Sequence, residues 1–191
     1  MKRRTFLVSA AAAVPTAALA TIVPALTPER LPKPGKAFKA SVGEGRYHGH
    51  IQLKGINLNV LDVKVSGKDT NGQLAIFEQT SFSPKRGTPL HVHPKQDEVF
   101  QVLEGEYAFL VGGERFRLQA GESIFLPRQV PHAWTQVSER GRMTVILQPA
   151  GTLEAFFVAV AALKSEPTPT EMAQIFADHE MQVVGPPLAV D

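Results

Sequence analysis

Residues 91–105 read HVHPKQDEVFQVLEG and contain two histidines one residue apart, then a glutamate that leads an apolar run. On a β-strand, the side chains at positions i and i+2 lie on the same face of the strand. His91 and His93 are therefore expected to point the same way. The chain has six histidines in all, so this spacing raises the question of what the pair holds.

The glutamate of this stretch is expected to face the interior. Glu98 shares a face of the next strand with Phe100 and Val102, and a carboxylate among apolar side chains is costly unless a partner satisfies it. His132 is in phase with Trp134 in the segment HAWTQ and should also point inward. Three imidazoles and one carboxylate that converge on one point form a site for a divalent first-row metal. The predicted metal ligands are His91, His93, Glu98 and His132.

The surrounding sequence predicts an all-β domain. Between residues 47 and 150, short β-rich runs are broken by Gly, Pro or Asn, a pattern typical of a sandwich or a barrel. Gly112 and Gly113 predict a tight hairpin between the runs EYAFLV and RFRL.

Residues 151–191 predict a C-terminal helical extension. An apolar stripe of helical period indicates packing against the sheet or, alternatively, a dimer contact. The stripe consists of Leu153, Phe156, Phe157, Val160 and Leu163. Thr168 and Glu171 form a capping-box pattern with Pro169 at the first helical position, which predicts a second helix to about residue 180.

The two histidine-containing segments resemble the two sequence motifs of the cupin superfamily. The first motif is a glycine, His-x-His, three or four residues, Glu, six residues and Gly, and it matches His91, His93, Glu98 and Gly105. The second is Gly, five residues, Pro-x-Gly, two residues, His, three residues and Asn. It matches Gly121, Pro127 and His132. The resemblance covers residues 47–150 and implies a cupin jelly-roll barrel, or double-stranded β-helix.

The chain departs from both motifs outside the ligands. Lys85 occupies the first glycine position of the first motif, and Gly87 lies two residues nearer the histidines. Gln129 and Gln136 replace the glycine and the asparagine of the second motif. These departures concern turns and neighbours of the ligands, and they weaken a fine subfamily assignment.

Three functions remain open. Four protein ligands leave two positions on a six-coordinate ion for substrate and dioxygen or water. The chain looks most like the quercetin-dioxygenase-like cupins, which implies a dioxygenase for a small aromatic or polyphenol-like substrate, with Glu98 as ligand and general base. The alternatives are a metal-assisted isomerase or lyase for a small oxygenated substrate, and a non-catalytic cupin that binds small molecules. The imidazole and carboxylate ligands suit Fe, Mn, Ni, Co, Cu or Zn.

The same alternation of side chains predicts an apolar pocket for a small-molecule ligand or substrate. Its predicted residues are Phe100, Val102, Phe125, Trp134 and Gln136. A second His-x-His, His48 and His50, has no glutamate at the matching distance and is expected to form a strand with two exposed imidazoles. Asp97 should point away from the ligands. Dimerisation is a further option, since cupins often dimerise.

Residues 1–20 are expected to be an export signal. Lys2 and the Arg3–Arg4 pair precede Phe6, Leu7 and an alanine-rich run, a pattern typical of a twin-arginine signal, and residues 18–20 read Ala-Leu-Ala at a cleavage position. We therefore expect a periplasmic or extracellular protein, with residues 21–46 as a linker or extended arm. The run is too short and too rich in small residues for a good membrane span.

Charge and cysteine content exclude several classes of partner and site. The chain has 20 basic and 18 acidic residues and a pI of about 9.0. Three of the basic residues lie in the first twenty positions, so the rest carries 17 basic and 18 acidic residues, a net charge of about −1. Neither nucleic-acid binding nor stable membrane insertion after signal removal is expected. The chain has no cysteine, which excludes disulfides and thiolate metal sites.

Overall fold

The structure is a computed structural model that describes residues 35–54 and 57–190. The predicted signal at residues 1–20 and residues 21–34 of the predicted arm lie outside the described residues. Residues 35–46 follow an irregular path. Arg46, at the end of this segment, donates hydrogen bonds of 2.6 and 3.3 Å to the carboxylate of Asp69 and so fixes the segment to the domain.

Strands dominate the described chain, and two helices follow the tenth strand. The elements are β1 (Ile51–Gln52), β2 (Val60–Val65), β3 (Ala75–Ser81), β4 (Pro89–Val92), β5 (Asp97–Glu104), β6 (Glu106–Val111), β7 (Glu114–Gln119), β8 (Ser123–Leu126), β9 (His132–Gln136), β10 (Gly141–Gln148), α1 (Leu153–Ala161), α2 (Pro169–Asp178) and β11 (Gln182–Pro187). A short 3₁₀ helix, Gly67–Thr70, joins β2 to β3.

The strands form two antiparallel sheets that share one core. One sheet has the order β1-β2-β3-β10-β5-β8, and the other has the order β11-β4-β9-β6-β7. Fully buried side chains from both sheets pack together, including Phe77 of β3, Leu126 of β8 and Phe109 of β6. The predicted all-β jelly-roll fold with short C-terminal helices is confirmed.

The predicted glycine hairpin is confirmed between β6 and β7. Val111 and Glu114 are directly opposite each other, and Gly112 and Gly113 connect them with φ values of 58° and 96°. A two-residue hairpin of this kind requires positive φ at both positions, which glycine adopts without steric cost.

The C-terminal helices cover the barrel interior. The predicted stripe is buried at Leu153, Phe156, Phe157 and Val160, and the Phe157 ring lies 5.2 Å from that of Phe77 in an edge-on arrangement. The stripe therefore packs on the sheet. Within the described part of the chain, no helix combines the length and the apolar character needed to cross a bilayer.

The second helix begins as predicted. Thr168 accepts a hydrogen bond from the Glu171 backbone, the Glu171 side chain accepts one in return, and Pro169 occupies the first turn. This reciprocal pairing satisfies backbone donors that have no partner within the helix.

A strand that the sequence analysis did not anticipate follows α2. β11 pairs with β4 and places Val183 directly opposite His91. Its run of Gly185, Pro186 and Pro187 argues against a central strand, because proline cannot donate to a ladder. The strand forms because it lies at the edge of its sheet, where one side needs no donors.

The prediction of a strand at the second His-x-His, His48 and His50, is wrong. His48 lies in a turn with φ 63°, and β1 begins after His50, at Ile51. Both imidazoles are exposed, as expected. His48 Nε2 lies 3.0 Å from Glu154 Oε1 and His50 Nδ1 lies 2.6 Å from Asp62 Oδ1, so each imidazole pairs with a separate carboxylate.

Candidate metal centre

The structure brings the four predicted ligands together inside the barrel. His91 lies on β4, His93 directly follows that strand, Glu98 lies on β5 and His132 begins β9. His91 and His132 are directly opposite each other in the sheet. One potential ligand atom from each of the four side chains lies within 4.8 Å of the others, and all four residues are buried. The arrangement could hold one metal ion.

Backbone carbonyls orient two of the imidazoles. His91 Nδ1 lies 2.8 Å from Pro89 O, and His132 Nδ1 lies 3.0 Å from Val130 O. Because a carbonyl can only accept, Nδ1 carries the proton in both rings. Nε2 is then unprotonated on each ring and has a free lone pair. This is the form in which neutral histidine binds metals, with a second partner fixing the ring.

Two lone-pair atoms face each other across the cluster. His132 Nε2 is buried and has no hydrogen-bond partner among the described residues, yet it lies 3.3 Å from Glu98 Oε2. With the His132 proton on Nδ1, an ionised Glu98 has no hydrogen to share with His132 Nε2. Glu98 Oε2 also lies 3.8 Å from His93 Nε2. A cation would satisfy these groups at once, so the residues fit a divalent metal.

Burial keeps two of the imidazoles neutral. Burial, together with neighbouring His132 and His93, holds the pKa of His91 well below its usual range. Burial also lowers the pKa of His93, against the opposing effect of Glu98. Neutral imidazole is the species that binds a metal, so these shifts reduce competition from protons.

At two turns, a residue other than glycine adopts the left-handed backbone conformation that favours glycine. Lys85 has φ 61° and Gln129 has φ 65°, and these are the two glycine positions of the cupin motifs at which this chain carries another residue. The backbone N–H of Gln129 donates a hydrogen bond to the backbone carbonyl of His93 at 2.9 Å, so this turn holds the backbone of a predicted ligand.

Asp97 points away from the cluster, as predicted. Its carboxylate accepts hydrogen bonds from the Arg128 backbone at 2.9 Å and from the Arg128 guanidinium at 2.6 Å. These bonds lower the pKa of Asp97 to about 2. The pair thereby joins the start of β5 to the turn that precedes His132.

An apolar cavity of about 50 Å³ adjoins the cluster. The barrel contributes Phe100 and Trp134 to its wall, and the helices contribute Phe156, Phe157 and Phe176. The Phe176 ring lies 5.2 Å from the His91 ring. At about 30 Å³ per water molecule, a space of this size holds roughly two water molecules. The helices therefore close the site around a small, apolar space.

Three of the predicted pocket residues lie elsewhere. Phe125 is 57% exposed, so its predicted pocket role is wrong. Val102 is fully buried in the core, and the lining formed by described residues does not include it. Gln136 is buried away from the cavity, where its side chain bonds to the Ser83 amide at 2.9 Å and the Ser138 carbonyl at 2.8 Å.

The register of β8 explains the error at Phe125. Residues directly opposite each other in an antiparallel pair share a face of the sheet. Leu126 is opposite Glu98, and Ile124 is opposite Phe100, so both take the inward face. Phe125 is opposite Val99 and faces outward.

The polar residues of the cavity and its helical cover are not among the predicted pocket residues. Asn57, Gln79 and Thr88 line the cavity, as does Phe176 of α2. Gln79 alternates with Phe77 in β3, so the same argument from strand faces would have placed it inside. The position of Phe176 depends on how α2 packs on the barrel, and the sequence carries no local signal for that.

Comparison with known proteins agrees with this fold. Residues 79–147 match a family described as the Cupin domain. The fold is a cupin jelly roll, and it places a buried three-histidine, one-glutamate cluster inside the barrel.

Individual relatives match parts of the chain. Quercetin 2,3-dioxygenase of Bacillus subtilis is 32% identical over 116 residues, which is 59% of this chain and 32% of that protein. An uncharacterized protein of Aquifex aeolicus is 27% identical over 46% of this chain and 68% of its own length. The crystal structure of an RmlC-like cupin from Shewanella frigidimarina has a TM-score of 0.49 and 23% identity, over 60% of this chain and 93% of that one. The chain thus spans about a third of the quercetin dioxygenase.

Proposed function

We propose that the protein is a metal-dependent dioxygenase for a small aromatic or polyphenol-like substrate. The observation that carries the proposal is the buried cluster of three histidines and Glu98 beside an aromatic-walled cavity. The similarity of one segment to a quercetin 2,3-dioxygenase supports the reaction class. Polyphenols carry adjacent oxygens that a divalent ion can bind, and the cavity walls suit a flat ring.

The four predicted ligands would hold the metal, and the remaining groups would act on the substrate. A bound divalent ion supplies a Lewis acid and a point of contact for substrate oxygens and dioxygen. Glu98 Oε1 accepts the proton of the substrate hydroxyl, since an ionised oxygen favours reaction at the ring. Phe100 and Trp134 pack against the ring and, with the helices above them, exclude water from the reacting groups.

Oxygen uptake with a panel of catechols and flavonols, on protein whose metal content has been measured, tests this proposal. We expect substrate-dependent oxygen consumption that falls by about 10²–10⁴-fold in Glu98→Gln, the range associated with loss of a general base. Gln101→Leu, an exposed change on the same strand, is the matched control. No oxygen consumption with any member of the panel by fully metal-loaded protein would contradict the dioxygenase.

The size of the cavity favours one alternative. A space of about 50 Å³ is well below the 300–1,000 Å³ that is usual for drug-sized ligands, so a flavonol would enter only if α1 or α2 moved. A metal-assisted isomerase or lyase for a small oxygenated substrate is therefore the second candidate. Turnover of such a substrate without oxygen consumption would identify it. Binding without turnover would instead indicate a small-molecule-binding protein.

We further propose export of the folded protein through a twin-arginine signal. The proposal rests on Arg3, Arg4, Phe6 and Leu7. A site with imidazole and carboxylate ligands follows the Irving–Williams order, so folding before export lets metal availability in the cytoplasm select the ion. Replacing Arg3 and Arg4 by lysine should leave folded, metal-loaded protein in the cytoplasm, and normal export of that variant would contradict the route.

A further inference from the structure

We propose that Gln79 determines substrate specificity by accepting a hydrogen bond from the end of the substrate that lies farthest from the metal. This inference rests on the proposed function, because it assumes a ligand bound between the metal and the far wall of the cavity. It adds a requirement that the metal cluster does not impose, namely a second polar group on the substrate.

Gln79 and the metal cluster lie at opposite ends of one cavity. Glu98 is directly opposite Leu147 on β10, whereas Gln79 is directly opposite Met143 on the same strand. Four residues of strand separate these two positions, a rise of about 13 Å. Both Glu98 and Gln79 line the cavity, so it runs along the barrel from the ligands to the amide.

The Gln79 side chain has an acceptor to spare. Its Nε2 donates to Ser81 Oγ at 3.0 Å, which fixes the amide. Its Oε1 has no hydrogen-bond partner among residues 35–54 and 57–190, although the residue is 4% exposed. Because Gln79 lines the cavity, a bound ligand or water can donate a hydrogen bond to this oxygen.

Outside the metal cluster, the other polar residues of the lining already accept hydrogen bonds. Thr88 Oγ1 accepts from the Trp134 backbone amide at 3.3 Å. Asn57 also lines the cavity, but its Oδ1 accepts from the Asn59 amide at 3.2 Å. Phe156, Phe157 and Val160 supply apolar surface along the wall. A ligand with a hydroxyl or an amide N–H at its distal end would therefore be held by Gln79 in particular. A ligand with a methyl group there would leave the carbonyl unpaired.

The substrate class follows from these two ends. It is a small aromatic molecule with adjacent oxygens for the metal and a hydrogen-bond donor on the opposite side of the ring. Like a flavonol, it exceeds the cavity of about 50 Å³ and enters only if α1 or α2 moves. 4-Hydroxymethylcatechol meets this requirement, whereas 4-ethylcatechol lacks the hydrogen-bond donor. The two molecules have the same shape and differ only in an OH group in place of a CH₃ group.

Calorimetric titration of the metal-loaded protein with each catechol, without oxygen, tests the inference. The native protein should bind 4-hydroxymethylcatechol roughly two- to tenfold more tightly, the difference expected of one neutral hydrogen bond. Gln79→Met, which keeps the length of the side chain and removes its oxygen, should bind both catechols equally. Gln79→Asn, which withdraws the amide, should also reduce the preference and serves if the methionine variant does not fold.

The native preference should persist in Gln101→Leu, an exposed glutamine variant on β5. A preference that survives in Gln79→Met, or a native protein that binds both catechols equally or binds neither, would overturn the inference. Tight, Gln79-dependent binding without oxygen consumption would support the inference while it contradicts the proposed dioxygenase. The two proposals therefore fail by different results.

Discussion

Replacing Lys85 and Gln129 by glycine should stabilise the protein. Both residues adopt left-handed backbone conformations, with φ values of 61° and 65°, at positions where the cupin motifs carry glycine. Both side chains are exposed, so their removal sacrifices little packing. The strain at each position arises because Cβ approaches the following carbonyl oxygen, and glycine has no Cβ.

Two opposing effects set the magnitude of the stabilisation. The left-handed conformation costs an ordinary residue about 1–2 kcal/mol, which glycine would recover. Glycine also gives the unfolded chain more freedom, and this offsets about 0.4–1 kcal/mol. The net gain is about 0.5–1 kcal/mol at each site, or a rise in melting temperature of about 1–4 °C for a domain of this size.

Denaturant and thermal unfolding of Lys85→Gly, Gln129→Gly and the double variant measure this gain. The matched controls are Lys85→Ala and Gln129→Ala, which remove the same side chains but keep Cβ and its strain. Each glycine variant should be more stable than its alanine counterpart, and metal content should not change. Equal stability of the glycine and alanine variants would refute the reasoning, because it would show that the left-handed conformation carries no strain at these turns.

Three further perturbations have defined outcomes. His132→Ala should lose most of the bound metal, whereas His50→Ala, which alters the exposed His-x-His, should keep it. Elemental analysis of the purified proteins measures the metal content. Full metal occupancy in His132→Ala would contradict the site. Asp97 has a pKa of about 2 when folded, below its ordinary value of 3.8, so its stabilisation is fully present above pH 3.8 and is lost as the pH falls toward 2. Acid unfolding of Asp97→Asn should therefore depend less steeply on pH in this range, and an unchanged slope would exclude the contribution of the Arg128 pair. Phe176→Ala should lower the free energy of unfolding by about 3–5 kcal/mol in thermal melts, since it deletes a buried ring beside His91, and the metal content should not change. A decrease of less than about 1 kcal/mol would mean that α2 does not close the cavity.

The sequence predicts that the four candidate ligands lie together because strand geometry is local, and the structure places them in one cluster. His91, His93 and Glu98 follow from alternation along two strands, and three histidines that all take the inward face of a small barrel have little room to lie apart. The tight turn at Gly112 and the capping box at Thr168 are equally local signals, since each depends on backbone conformations within four residues.

The pocket was predicted less well because it depends on relations between distant segments. In the run SIFL, either Phe125 or its two apolar neighbours could face inward, and the pairing with β5 decides the matter in favour of Ile124 and Leu126. The contribution of Phe176 requires knowledge of where α2 packs. The role of Gln79 needed the outline of the cavity, because a polar residue in an inward row gives no indication of which end of the barrel it occupies.

The pairing of β11 with β4 has a consequence for the order in which the protein is made. β4 carries His91 and lies between β9 and β11, and Val183 is directly opposite that histidine. During synthesis the N-terminal parts of a chain are available to fold first, so β4 has an open edge until residues 182–187 emerge from the ribosome. Chains stalled before residue 182 should therefore hold the His91 strand loosely and retain metal poorly. A metal ion at this cluster would thus be held firmly only after β11 has paired with β4.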